Sequence, residues 1–122
     1  MDKLAAKINE GSGYQFPFRG GLVNLGMEPD KLKQSLQNSQ PPQGLNIYLQ
    51  ALWYDGKGDW EKSHELIQDL PDSSSARIHA YLHRKEGDQG NALYWYRRAG
   101  EAAFRGSLEE EWEFLVGALD SL

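Results

Sequence analysis

The stretch HAYLH sets His79 and His83 four residues apart, with Glu86 three residues further on. On a helix that spacing puts both imidazoles on one face, where they can share a cation while a carboxylate and a water complete the tetrahedral shell that zinc favours. The third and last histidine, His64, stands beside Trp60 and Ile67 in the preceding helical segment. If the two segments pack as neighbours, the three imidazoles converge. The candidate metal set is then His64, His79 and His83, with Glu86 or Glu65 in support, and the wider ligand set adds Trp60, Trp95 and Arg97. Packing is the competing account. Neutral imidazoles bury at little cost once their nitrogens have partners, and Tyr81, Tyr94, Tyr96, Glu65 and backbone groups offer them.

Other chemistry is thinly supported. Residue 80 is alanine, where the HExxH metalloprotease motif needs its glutamate base. The chain has neither a GxSxG nucleophile elbow nor a paired-carboxylate motif of glycosidase type. FRGG, from Phe18 to Gly21, lacks the lysine and hydroxyl of a phosphate loop. Arg97 and Arg98 lie beyond the apolar arc of Ala92, Trp95, Tyr96, Ala99 and Ala103, where they would pair with carboxylates or capture an anion. Glu109, Glu110 and Glu111 fall in the first turn of a helix and complement its dipole. No residue is assigned a catalytic role. The expectation is a binding protein rather than an enzyme, with hydrolysis attached only to the metal alternative.

Composition narrows the partners. Thirteen basic against eighteen acidic side chains give a net charge of −5, which argues against nucleic acid and against anionic membrane surfaces. The absence of cysteine removes disulfides, thiolate metal sites and a thiol nucleophile. MDKLAAKINE does not read as a secretory signal, and no run approaches the roughly eighteen apolar residues of a membrane span, so a cytoplasmic location is expected.

Helices must position the histidines. Residues 11–26 hold five glycines and a proline among Tyr14, Phe16 and Phe18, which suits an irregular aromatic arm, and residues 1–28 are set apart as an N-terminal segment. From Pro29 the pattern is helical: about 29–38, about 44–56, about 59–70, about 75–86, about 88–104 and about 107–120. Asp59 and Asp88 each follow a glycine and can cap the helix that follows, the serines of PDSSSA can cap the fourth, and SLEE at Ser107–Glu110 is a capping box. The second helix is apolar all round, so it should be sandwiched.

A shift of 29 residues superimposes Gly58-Asp59 on Gly87-Asp88, Ala51 on Ala80, Ser63 on Ala92 and Ile67 on Tyr96. This describes two helical hairpins in tandem, about 45–73 and 74–104. The small residue midway along the first helix, the Gly-Asp turn and the small residue five positions later resemble the tetratricopeptide repeat. GNALYWYRRAGEAA is similar to the second helix of shorter, related solenoid repeats, and HAYLHRKEGDQGNALYWYRRAG is similar to small bacterial proteins of unassigned function. The period is short for a tetratricopeptide repeat. Gln50 and His79 occupy positions that are usually large and apolar, and His83 stands where tyrosine is usual. The resemblance implies an all-α fold of five or six helices stacked as hairpins in a right-handed superhelix, closed by a C-terminal capping helix at 107–120. The module so implied binds a peptide, a partner protein or a second copy of itself. The alternative is a metal or small-ligand protein, with zinc the natural divalent ion for the three histidines.

Overall fold

A computed structural model describes residues 27–122, and the aromatic arm expected over residues 11–26 lies outside them. Six α-helices follow in order: α1 (Pro29–Ser35), α2 (Ile47–Gly56), α3 (Trp60–Ile67), α4 (Ser73–Lys85), α5 (Gln89–Ala99) and α6 (Leu108–Leu119). No strand occurs among the described residues, so the fold is all-α there. α2 pairs with α3 and α4 with α5 as hairpins, while α6 reaches back across α4, α2 and α1.

The helix starts follow from capping chemistry. Asp59 Oδ1 accepts from Lys62 N at 3.0 Å and Asp88 Oδ1 from Asn91 N at 3.1 Å, each satisfying an amide with no partner in its own helix. Gly58 and Gly87 both have φ of 90°, and the next amide in each case bonds five residues back, Asp59 N to Tyr54 O and Asp88 N to His83 O. The two turns are thus the same turn, 29 residues apart. At Ser107 the capping box is complete, with Glu110 N donating to the hydroxyl and Glu110 Oε1 accepting from Ser107 N.

Besides a later start of α2, at Ile47, and an earlier end of α3, at Ile67, three boundaries differ from the sequence expectation for a clear local reason. α4 is capped by Asp72, not by the serines: its Oδ2 accepts from Ser75 N, and the chain is helical from Ser73. α1 stops at Ser35, and the next three amides each bond three residues back, tightening the end into a turn. α5 ends at Ala99 instead of near 104. Gly100 adopts φ of 77°, and Glu101 N bonds Tyr96 O in the glycine-terminated closure that helices use when a residue without a Cβ is at hand.

α2 is sandwiched as its apolar surround demands: Leu49, Ala51, Leu52, Trp53 and even Asp55 are buried. The core gathers these with Leu32, Ile78, Leu82, Leu115 and Val116. Burying one such leucine or isoleucine is worth roughly 1.5–3 kcal/mol. The buried indoles keep their N–H groups satisfied, Trp112 on Leu52 O at 2.9 Å and Trp53 on Ser35 Oγ at 3.1 Å. Between α4 and α5 the small Ala80 and Ala92 pack with Tyr96, and their size lets the two helices approach.

The acid run of α6 requires a correction. Glu109 and Glu110 are exposed, but Glu111 is fully buried. It accepts from Arg77 Nη1 at 2.6 Å, from Arg84 Nη1 at 2.7 Å and from the Tyr96 hydroxyl. Helix-dipole compensation is therefore not its main role. It ties α6 to α4 and α5 through charge-assisted hydrogen bonds.

Candidate functional site

α3 supplies Trp60 and His64, α4 supplies His79 and His83, and α5 supplies Trp95. In the first hairpin, Trp60 and His64 sit one turn apart and their rings stack, with centroids 4.9 Å apart and planes within 9°. In the second, Trp95, His79 and His83 form a run of near-parallel rings: Trp95 to His79 at 3.9 Å and 14°, His79 to His83 at 4.9 Å and 20°. The two stacks meet edge to face, His64 against His79 at 4.7 Å and 80°. Trp60 is fixed by its own N–H, which donates to Leu82 O at 2.8 Å.

The three imidazoles do converge. His64 Nε2 lies 3.0 Å from His79 Nε2, and one ring nitrogen from each of His64, His79 and His83 falls within 4.8 Å of the others. A tetrahedral ion with nitrogen ligands at 2.0–2.1 Å sets its nitrogens about 3.3 Å apart, so small side-chain rotations bring the set to that geometry. The donors also fit chemically. Burial holds the His79 imidazole down at about 4, with His64 and His83 as further causes, and burial, then His83, pushes His64 below its ordinary value. Imidazoles held neutral keep the lone pairs a metal needs.

The packing partners expected for these rings are otherwise engaged. The Tyr81 hydroxyl donates to Asp55 and that of Tyr96 to Glu111, while Tyr94 accepts from Arg98. The histidines bond instead to one another and, at His83, to Glu86, whose Oε2 lies 2.6 Å from Nδ1. The Glu86 side chain is 40% exposed, and it reaches back to His83 from outside. Arg97 is exposed in the last turn of α5 and makes no hydrogen bond or ring contact with the histidines. Glu65, also exposed, makes no hydrogen bond with any of the three.

Access is narrow. His79 is 6% and His83 9% exposed, and two clefts among the described residues, of about 270 and 350 Å³, are not lined by a histidine. The larger is lined by Asp55, Tyr81, Lys85 and Trp112 among others, with the Asp55 carboxylate bonded by Tyr81 and Lys85. The three ring nitrogens lie close enough together to hold an ion. Sequence reasoning overlooked the Glu111 and Asp55 networks. The signal for the first was Arg77 and Arg84 seven residues apart on one helical stripe, which needs an anion opposite.

No helix among the described residues is long and apolar enough to cross a membrane. Comparison with protein-family models, curated proteins and solved structures returned no match.

Proposed function

We propose that this chain binds one divalent transition-metal ion, of the zinc or copper(II) class, through His64, His79 and His83. The observation that carries the reading is the convergence of three ring nitrogens from two helices within 4.8 Å. Imidazole donors suit late first-row ions, whereas magnesium and calcium call for oxygen donors. A water would fill the fourth position. The carboxylates of Glu86, Glu61 and Asp69 act electrostatically on His64 and favour a cation there. The test is the metal content of untagged protein, followed by zinc titration of wild type and the His79→Ala, His83→Ala double variant. One equivalent bound by wild type and lost in the variant supports the site, and no binding by wild type refutes it.

A second reading, a tetratricopeptide-like interaction module, draws on a different observation. The matched Gly-Asp turns favour hairpins stacked as a right-handed superhelix, in which a terminal helix keeps one face uncovered. α5 packs mainly on α4, reaches α6 through the Tyr96–Glu111 hydrogen bond, and leaves Leu93 46% and Tyr94 42% exposed. The partner considered first is a second copy of the chain. Sedimentation of wild type against Leu93→Glu tests it, and a wild type that stays monomeric at every concentration removes that partner.

A further inference from the structure

We infer that Glu86 is a positioning residue for the metal site, acting through His83 and not as a ligand; this rests on the metal reading above. Glu86 caps the C-terminal end of α4, and its carboxylate oxygen lies 2.6 Å from His83 Nδ1. A carboxylate only accepts, so Nδ1 carries the proton, and in the neutral ring Nε2 is the nitrogen that has a lone pair for a metal. Without that acceptor the ring is free to hold either tautomer and to turn over, and a share of molecules presents the wrong nitrogen. A carboxylate behind a ligating histidine also strengthens it as a donor.

His83 is the one member of the trio held this way. His64 and His79 bond each other through Nε2, and among the described residues neither donates to a carboxylate. A metal must displace that shared hydrogen bond, whereas the His83–Glu86 bond survives metal binding. The competing use of Glu86 is as a direct ligand, since His83, Glu86 and Asp88 also bring donor atoms within 4.8 Å of one another. Asp88, however, is already engaged: Oδ1 caps α5 through Asn91 N, and Oδ2 accepts from Asn91 Nδ2. An ion there would compete with the cap of a helix, while the inner set asks only for small ring rotations.

The experiment measures zinc affinity by competition with a chromophoric chelator for wild type, Glu86→Ala, Glu86→Gln and the His64→Ala, His79→Ala double variant. Long-range proton–nitrogen NMR of the metal-free proteins reads the His83 tautomer. Glu86→Ala should still bind one equivalent, but about 10–100-fold more weakly. Glu86→Gln, whose amide oxygen still accepts from Nδ1, should recover part of the loss. His83 should be the Nδ1-protonated tautomer in wild type and a mixture in Glu86→Ala, a change that a purely structural role for an exposed cap would not produce. Wild-type affinity in Glu86→Ala, or an unchanged tautomer, overturns the inference and leaves the metal reading intact. Binding abolished in Glu86→Ala but kept in the His64→Ala, His79→Ala variant puts the ion on His83, Glu86 and Asp88 and overturns both. A wild type that binds no zinc removes both as well.

Discussion

His64 Nε2 and His79 Nε2 face each other at 3.0 Å across the α3–α4 joint, although fifteen residues separate them in the chain. A hydrogen bond between two ring nitrogens needs one donor and one acceptor, so at least one ring is neutral. Protonating both would set two donors against each other in a place with little water. The cluster is therefore built around deprotonated nitrogen, which is the state that binds metals and the state that acid removes.

Stability of the metal-free protein should fall as pH drops from about 7.5 to 5. The folded His79 titrates at about 4, below the 6.5 of an exposed histidine. Between those values the unfolded chain binds more protons than the folded one, so unfolding gains ground as pH falls, and stability is complete only above about 6.5. The depressed His64 acts in the same direction. Urea midpoints at pH 7.5 and 5 measure the effect. His79→Gln, a polar side chain of similar length that does not titrate, should flatten the dependence. Equal wild-type midpoints would show that the imidazoles are not buried neutral.

The local rules of this fold were legible in the sequence. Asp59, Asp88 and Ser107 cap where their types and spacing place them, because capping depends on residues within one turn. The histidine convergence was legible too, since helical period plus hairpin order sets which faces meet. What stayed hidden depends on distance or direction. Glu111 bonds Arg77 across 34 residues and Arg84 across 27, so no local pattern separated it from its exposed neighbours Glu109 and Glu110. Glu86 falls on the histidine side of a helical projection. At the last turn, however, its side chain is free to fold back onto His83 from solvent, and a projection carries no such direction.

Replacing Ser63 with alanine should raise stability by about 1 kcal/mol. Ser63 is fully buried on α3 and its hydroxyl has no hydrogen-bond partner among the described residues. A buried donor that has lost water and gained nothing is a cost, and alanine also suits a helix better. Ala92, 29 residues further on and following the matching Gly-Asp turn, offers a precedent, being itself 1% exposed. A urea series at fixed pH decides it. A clear loss of stability in Ser63→Ala would reveal a partner for the hydroxyl.

Gly58→Ala and Gly87→Ala should each cost about 1–2 kcal/mol, and nearly the same amount as each other. Both glycines have φ of 90°, and a Cβ at either would meet none of the described residues within 4 Å. The whole penalty is then backbone strain, with no steric term to separate the two. Thermal or urea unfolding of the two variants tests whether the turns are energetically as well as geometrically equivalent. A large difference would mean that one hairpin tolerates a shifted turn and the other does not.

Glu111→Gln should destabilise the protein by about 3–5 kcal/mol, more than any single change at the rim of the fold. The substitution keeps the shape and removes the charge between two guanidinium groups. Arg77, 4% exposed, would retain only the half-exposed Glu101 at 3.0 Å, and its contacts with the rings of Tyr96, Phe104 and Phe114 cannot replace a buried anion. Arg84 is 22% exposed and can turn toward water, so the cost should fall mainly on Arg77. That asymmetry gives a second measurement. Adding Arg77→Met to Glu111→Gln should restore part of the lost stability, because the stranded charge goes with it, whereas adding Arg84→Met should restore less. If neither double variant recovers anything, the penalty lies in the packing of α6 itself and not in the unpaired guanidinium.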